Sequence, residues 1–295
     1  MNRHADQAGR SRTDPESQFP SRNAWPPLLN AKGPALALAG LLAVLAQSGG
    51  ATADAEAPKP FRILTYNIHH GEGLDGRLDL DRIAQVITNA RADIVCLNEV
   101  DQGVTRTQKR DLPAELAART GLTCLFSNNY HFQGGQYGNA ILTRFPVLGW
   151  TNTHLRMLRT GEQRGLLQAR LRVQGRELVF MATHIDYRRD DAERMLNLEQ
   201  FFELLPGYAG TPVVITGDFN DFPGKRVHAR MSERFRDAWM EGGGGDGFTI
   251  PANQPTERID YVWLEKGAPL KVRQVQVLST EASDHRPVCV ELEWR

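Results

Sequence analysis

The sequence is poor in cysteine and has no excess of charge of either sign. Its 295 residues include three cysteines, which cannot all pair, and no Cys-x-x-Cys motif, so a disulfide framework is not implied and a structural zinc site of that type is excluded. Lys and Arg together number 35, as do Asp and Glu. This balance disfavours a basic nucleic-acid wrapper or a polybasic membrane binder. With 41% hydrophobic residues, the chain can bury an ordinary globular core.

The one sustained hydrophobic run lies near the amino terminus, at residues 34–46. Its 13 residues are short of the roughly 20 needed to cross a bilayer. Lys32 precedes the run, and Ala51-Thr52-Ala53 resembles a small-residue cleavage site. We therefore predict that residues 1–53 are an export signal with a long amino-terminal region. Cleavage would release the protein to the periplasm or the medium, whereas an uncleaved signal-anchor would tether it to the membrane. An uncleaved amino-terminal helix or a start site placed too far upstream remains open.

Residues 54–60 are predicted to be a linker, and residues 61–295 a single domain. Ten short β-branched or apolar segments from Phe61 onward predict strands. Helical periodicity occurs at residues 81–90, with Asp79 or Asp81 as N-cap, and again at residues 190–205. Some strands alternate apolar and polar residues while others are apolar throughout, so we expect two packed, mostly antiparallel or mixed sheets covered by helices. The predicted strands are FRILTYN, DIVCLNE, LTCLF, NAILTR, LLQARLRV, ELVFMATH, PVVITGDFN, RIDYVWL, KVRQVQVL and PVCVELEW.

Polar side chains follow or open several of these predicted strands. A single Asn or Asp after a strand is usually a turn residue, but repeated strand ends of this kind can form a site at one rim of the sheets. The set is rich in hard oxygen ligands, which suit Mg²⁺, Mn²⁺ or Ca²⁺, and its histidines can transfer protons. These strand ends are Tyr66-Asn67, Asn98-Glu99, Thr183 to Asp186, Gly217 to Asn220, Arg258 to Asp260 and Ser283 to Pro287.

Other polar segments have simpler interpretations. Ser283-Asp284-His285 contains the residue types of a serine-protease triad, but neighbours in an extended chain point in opposite directions and cannot form one. For the same reason the side chains of His69 and His70 are expected to diverge, which leaves open whether one of them faces the site or both have a role only in the loop. The acidic segment Asp75 to Asp81 lacks the glycine and glutamate of a calcium loop, which favours a solvated turn and helix cap. Arg188 and Arg189 are predicted to lie on a solvated face.

The chain from about Phe61 to Trp294 resembles the endonuclease/exonuclease/phosphatase superfamily. The resemblance is carried by TYNIHHG (65–71), LNEV (97–100), YGNAILTRFP (137–146), ATHID (182–186), TGDFN (216–220), RIDYVW (258–263) and SDHRPV (283–288). It implies a four-layered α/β sandwich with the site at one edge, and metal-dependent hydrolysis of phosphoester bonds.

The resemblance also implies roles for particular residues. Glu99 would be the principal metal ligand, with Asn67 beside it and Asp284 completing or supporting the site. Asp218 and Asn220 would position the nucleophilic water and the phosphoryl oxygens, and Asp260 would pair with His285. His184 would contact the phosphate or protonate the leaving oxygen. We also assign Arg164 to substrate binding, because a guanidinium suits phosphate, although a surface arginine at a strand start is an equal alternative. Asn139 completes the predicted substrate contacts.

The substrate class stays open at this point. Nucleic acid, a lipid head group and a small phosphorylated molecule are all compatible with the residues, although near-neutral charge and export disfavour a dedicated role in DNA repair. We predict a phosphodiesterase or nuclease that uses Mg²⁺, or Mn²⁺ or Ca²⁺ in its place. A sphingomyelinase-like lipid phosphodiesterase and a small-molecule phosphatase are the alternatives, and an inactive binding domain on the same fold is the non-enzyme alternative. No dedicated protein partner is evident, and we expect a monomer.

Overall fold

The computed structural model describes residues 59–295. The predicted export signal and residues 54–58 of the predicted linker lie outside the described residues. Two six-stranded sheets organise the described chain. The first has the order β11-β12-β1-β2-β4-β3, with strands β1 Phe61–Asn67, β2 Ile94–Gln102, β3 Thr123–Phe132, β4 Gly135–Thr143, β11 Leu270–Val277 and β12 Val288–Trp294. The second has the order β5-β6-β7-β8-β10-β9, with strands β5 Val147–His154, β6 Gly165–Val173, β7 Arg176–His184, β8 Val213–Asp218, β9 Phe235–Asp237 and β10 Asp260–Glu265.

Each sheet has one parallel strand pair at its centre. β1 is parallel to β2 in the first sheet, and β7 is parallel to β8 in the second, while the other pairs are antiparallel. Parallel strands end at the same edge of a sheet, so the carboxyl ends of each central pair lie side by side. The predicted mixed sheets are confirmed, and all ten predicted segments lie largely within strands.

Five α-helices complete the fold within residues 59–295: α1 Leu80–Asn89, α2 Leu112–Thr120, α3 Ala192–Leu204, α4 Arg226–Ser232 and α5 Ala238–Gly242. The N-cap of α1 is Asp79, whose carboxylate accepts hydrogen bonds from the backbone N–H groups of Asp81 and Arg82. This satisfies donors that the first turn of a helix leaves unpaired. The predictions for α1 and α3 are confirmed to within two residues at each end. None of the helices in this range is long and apolar enough to cross a membrane.

The central strands of the first sheet pack against a hydrophobic core on each face. On β1, Ile63 packs into a core between the two sheets, whereas Leu64 and Tyr66 pack into a second core that includes Ile83 and Ile87 of α1. Burying side chains of this size contributes about 1.5–3 kcal/mol each. The polar groups that end these strands are therefore held by rigid, packed elements.

Candidate active site

The ends of both central strand pairs meet and bring six predicted site residues together. Strand register places Asn67 beside Asn98 in the first sheet. In the second sheet Asp218 is flanked by His184 on one side and by Asp260 on the other. Hydrogen bonds then join the two sheets at this edge, because the side-chain amide of Asn67 donates to Asp218 at 3.1 Å. The six residues brought together are Asn67, Glu99, His184, Asp218, Asp260 and His285.

Glu99 reaches this edge because β2 is irregular there. The pairing of β2 with β4 shifts register between Leu97 and Val100, and Glu99 has a left-handed φ of 59°. Such a bulge re-aims a side chain that a regular strand would direct elsewhere. Glu99 Oε1 accepts a hydrogen bond of 3.0 Å from the amide of Asn67. One amide nitrogen thus contacts the carboxylates of both Glu99 and Asp218.

Asp218 is a buried carboxylate with an unusual proton affinity. Burial raises the pKa of Asp218 to about 7, and the charge of Asp260 adds to the rise, while His285 and hydrogen bonds from Asn220 and Asn67 oppose it. The backbone N–H of Asn220 donates to Asp218 Oδ1 at 2.9 Å, and the Asn67 amide donates to Oδ2. A carboxylate of this kind can accept a proton near neutral pH.

His285 is paired with Asp260, and this pairing favours the positively charged form of its ring. Its Nδ1 donates to Asp260 Oδ2 at 2.9 Å, and its Nε2 lies 3.8 Å from Asp218 Oδ2. Burial opposes the charged ring, but the charge and hydrogen bond of Asp260, followed by the charges of Asp218 and Asp284, raise the pKa of His285 to about 10. His285 is therefore a cation at neutral pH, held in one orientation.

His184 is a second imidazole at the site, and its surroundings favour the neutral ring. Its Nε2 lies 3.5 Å from Asp218 Oδ2, and its buried Nδ1 has no hydrogen-bond partner within residues 59–295. Burial lowers the pKa of His184 well below its ordinary value, and the positive charges of Arg164 and His285 add to this effect. A buried nitrogen without a partner is costly unless a ligand satisfies it.

Arg164 precedes β6 and is 5% exposed, so it is not the surface residue of the alternative interpretation. Its Nη1 lies 3.0 Å from Glu162 Oε1, and its guanidinium lies 5.6 Å from the ring of Tyr187. Tyr187 is itself 65% exposed, so the pair forms part of the rim. Glu162 and Tyr187 were not predicted from the sequence, because a single carboxylate or aromatic residue in a loop has no distinguishing pattern.

Three further predicted residues occupy distinct positions. Asn220, with a left-handed φ of 48°, donates from its amide to the Ile185 carbonyl at 3.1 Å. Asp284 is half-buried, and its Oδ1 accepts a hydrogen bond from the Ser283 hydroxyl. Asn139 is buried, and its amide is shared between Asn98 and the Gly165 carbonyl. The metal, catalytic and substrate roles assigned to these residues stay predictions.

Asn98 and Gly217 are structural supports that the site requires. Asn98 donates to Asn139 and to the Thr183 carbonyl, each at 2.9 Å, and accepts a 3.1 Å hydrogen bond from the backbone of Asp218. It thereby connects β2, β4, β7 and β8. A Cβ on Gly217 would lie 1.8 Å from the Thr183 carbonyl oxygen, so only glycine permits this close approach. Both residues were visible in the sequence as strand-end residues, but their bridging contacts were not.

The donor chemistry at this edge fits a hard divalent cation. Glu99 Oε2 has no hydrogen-bond partner among the described residues, and Asp260 Oδ1 is buried without one. One ligand atom from each of Asp218, Asp260 and His285 lies within 4.8 Å of the others. Asn67 was also predicted to lie beside the metal. Its amide nitrogen, however, faces Glu99 and Asp218, and its amide oxygen accepts a hydrogen bond from the backbone N–H of His69. Carboxylates that converge in this way are suited to Mg²⁺ or a similar ion.

Two expectations for neighbouring segments are wrong. The rings of His69 and His70 do not diverge, since their centroids are 4.4 Å apart. The expectation assumed extended backbone, whereas both residues are left-handed, with φ of 44° and 46°. Arg188 does not lie on a solvated face but pairs with Asp186 at 2.9 Å and Glu193 at 3.1 Å.

Comparison with known proteins gives consistent results. A family model described as the Endonuclease/Exonuclease/phosphatase family matches residues 64–285. The protein YbhP of Escherichia coli K12, which is named as uncharacterized, is 28% identical over 246 residues, covering 79% of this chain and 96% of YbhP.

Solved structures share the fold. An endonuclease/exonuclease/phosphatase from Beutenbergia cavernae superposes with a TM-score of 0.63 at 24% identity, covering 80% of this chain and 72% of that one. A mannosyl-6-phosphatase from Bacteroides thetaiotaomicron superposes with a TM-score of 0.66 at 18% identity, covering 79% of this chain and 100% of that one. At these identities the likeness establishes the four-layered sandwich architecture and nothing about substrate.

Proposed function

Because the chain belongs to the endonuclease/exonuclease/phosphatase family, whose members are generally hydrolases of phosphoester bonds, we propose that it hydrolyses a phosphodiester with the help of a divalent cation. The observation that carries the proposal is the convergence of Glu99, Asp218, His184 and the His285–Asp260 pair at one edge of both sheets. Each group lies on or beside a packed strand, which is the rigidity that a catalytic site needs.

Glu99 and Asp284 are the carboxylates that would hold the cation, with Asn67 fixing the orientation of Glu99 through its 3.0 Å hydrogen bond. A bound Mg²⁺ or similar ion supplies neutralisation of negative charge on the phosphoryl oxygens.

The chain's own residues supply the remaining chemistry. Asp218 accepts a proton from the attacking water, because its pKa of about 7 suits a base near neutral pH. The bond from the water oxygen to phosphorus forms as the bond to the leaving oxygen breaks, and the departing oxygen takes a proton from solvent water. His285 keeps its proton at this pH and stabilises the charge that develops on the phosphoryl oxygens. His184, which is neutral, has its Nε2 3.5 Å from Asp218 Oδ2 and would contact the phosphate from there.

The rim formed by Arg164 and Tyr187 supports a substrate that extends beyond its phosphate. A guanidinium recognises anionic oxygens, and an exposed aromatic ring offers a flat apolar surface. A phosphomonoester is the second candidate substrate, because the same groups could also bind a terminal phosphate; a protein that shares the fold is named as a mannosyl-6-phosphatase.

A substrate panel tests the proposal. The full chain is assayed with plasmid DNA, RNA, a chromogenic phosphodiester, a phosphomonoester and sphingomyelin, each with Mg²⁺, Mn²⁺, Ca²⁺ or EDTA. We expect turnover of a phosphodiester with a divalent cation and none with EDTA. Release of inorganic phosphate from the monoester alone would favour the second candidate. Absence of turnover on every substrate would overturn both candidates and favour an inactive binding domain.

Glu99→Gln provides the matching variant. Loss of the carboxylate charge should reduce cation-supported turnover by about 100-fold or more, in line with the contribution of a single electrostatic group to catalysis. The control is Glu203→Gln, since Glu203 is an exposed carboxylate at the end of α3 that pairs with Arg156. Equal rates in the two variants would remove Glu99 from the site.

We also propose that residues 1–53 direct export and that the protein is a monomer. Expression of the full chain in a bacterium, followed by fractionation and mass determination, should recover a periplasmic form that begins near residue 54. A full-length form confined to the cytoplasm would contradict the proposal, and size-exclusion chromatography measures the oligomeric state.

A further inference from the structure

The loop that follows β1 contains a second group of ligating side chains. We propose that His69, His70 and Glu72 bind a divalent transition-metal ion of the zinc class at a site separate from Glu99 and Asp284. The proposal goes beyond phosphoester hydrolysis and does not depend on it.

The local backbone brings the three side chains together. His69, His70 and Gly71 have consecutive left-handed φ values of 44°, 46° and 86°. Left-handed backbone is strained for residues other than glycine, typically by about 1–3 kcal/mol each. The result is that the two imidazole rings pack at 4.4 Å between centroids, and His70 Nε2 lies 3.7 Å from Glu72 Oε2. One ligand atom from each of the three residues lies within 4.8 Å of the other two.

His70 supplies an independent sign of a missing ligand. Its side chain is 10% exposed, and its Nδ1 is buried without a hydrogen-bond partner in the described part of the chain. A buried nitrogen with no partner is an unfavourable arrangement, and a metal ion bound at that nitrogen would satisfy it. Glu72 and His69 are only half-buried, so an ion can reach the group from solvent.

The donor set selects the class of metal. Two imidazole nitrogens and one carboxylate suit Zn²⁺, Co²⁺, Ni²⁺ or Cu²⁺ better than Mg²⁺ or Ca²⁺, which prefer oxygen ligands. Two histidines and a glutamate with one open position is a known arrangement for zinc. Arg106 acts electrostatically on His70, but its guanidinium is held by both carboxylate oxygens of Asp101, at 2.8 and 2.9 Å. Its positive charge is therefore largely offset.

The group is linked to the candidate active site through one residue. The backbone N–H of His69 donates to Asn67 Oδ1 at 3.1 Å, and the amide of Asn67 donates in turn to Glu99 and Asp218. An ion that fixes the turn at His69 would therefore also fix the amide that orients both carboxylates.

Cobalt binding tests the proposal without any measurement of turnover. The full chain is titrated with Co²⁺ in excess Mg²⁺, which occupies oxygen-rich sites, while the visible absorption of Co²⁺ is recorded. We expect one tightly bound equivalent with the spectrum of nitrogen coordination. His70→Asn and Glu72→Gln should each weaken this binding by about 100-fold or more, since even outer-shell partners of a metal contribute 10- to 100-fold. Asparagine is chosen because it tolerates left-handed backbone.

His154→Asn is the matched control, because His154 is an exposed histidine on β5. It should bind Co²⁺ as the wild-type chain does. If His70→Asn fails to fold, Glu72→Gln decides the question, because Glu72 is half-buried in a loop and its replacement keeps the shape of the side chain. Undiminished binding by Glu72→Gln and by every folded His70 variant, or an absence of nitrogen-type bands in the wild-type spectrum, would overturn the proposal.

Discussion

Replacement of Asp260 by asparagine should release the proton of His285 at a much lower pH. Asp260 Oδ2 accepts the hydrogen bond from His285 Nδ1 at 2.9 Å, and both side chains are buried. Burial by itself disfavours the charged ring, so the rise in the pKa of His285 from 6.5 to about 10 depends on nearby carboxylates, of which Asp260 is the foremost. An adjacent opposite charge shifts a pKa by about 1–3. We expect Asp260→Asn to lower the pKa of His285 by about 2, which corresponds to about 3 kcal/mol.

The direct measurement is an NMR titration of the histidine ring nitrogens with EDTA present. The His285 signals are assigned by comparison with His285→Gln. The matched control is Asp237→Asn, since Asp237 is another buried carboxylate, bonded to His228 at 3.1 Å. The control should leave the titration of His285 unchanged. Equal midpoints for His285 in the wild-type chain and in Asp260→Asn would refute the assignment of Asp260 as the source of the raised pKa.

The same shift has a consequence for stability. A histidine with a raised pKa in the folded state stabilises the fold fully below its unfolded pKa, near 6.5, and the contribution disappears as the pH rises through about 10. The free energy of unfolding of the metal-free chain should therefore contain a component that falls between these pH values. In Asp260→Asn this loss should occur at lower pH, as urea unfolding at several pH values will show.

Two further substitutions test the supports of the site. Gly217→Ala should destabilise the fold by about 2–4 kcal/mol, because its Cβ would lie 1.8 Å from the Thr183 carbonyl oxygen. The control is Gly244→Ala, where a Cβ meets no described atom within 4 Å. Equal urea midpoints for the two variants would contradict the predicted clash. Arg164→Gln should raise KM for a phosphodiester by about tenfold, as expected when a charged hydrogen bond to phosphate is lost. Arg189→Gln is the control, because Arg189 is exposed. An unchanged KM in Arg164→Gln would place Arg164 outside the substrate contacts.

The strands were predictable because hydrophobic patterning is local. All ten predicted segments lie largely within strands, whereas β5 and β9 were missed. β5 is only partly buried along its length, and β9 has three residues, so neither shows the alternating or continuously apolar pattern on which the prediction depends. The N-cap of α1 was predictable for a similar reason, since Asp79 acts within its own turn.

The site was predictable in composition but not in geometry. The motifs identified Glu99, Asp218 and His285, yet Glu99 reaches the site only through a bulge and a left-handed φ of 59°. The proximity of His69 and His70 was likewise missed, because the sequence gives no sign of left-handed backbone at two adjacent histidines. Backbone of this kind is imposed by surrounding structure.

The sequence itself determined the patterns that depend only on neighbouring residues. These are the apolar strands, the capped helix and the polar groups placed at strand ends. The proton affinities of Asp218, His184 and His285 were decided by the tertiary structure. The three residues are each more than 30 positions apart in the chain, and a pKa depends on burial and on charges brought near in space. For that reason one imidazole is charged and the other is neutral, although the two side chains are chemically identical.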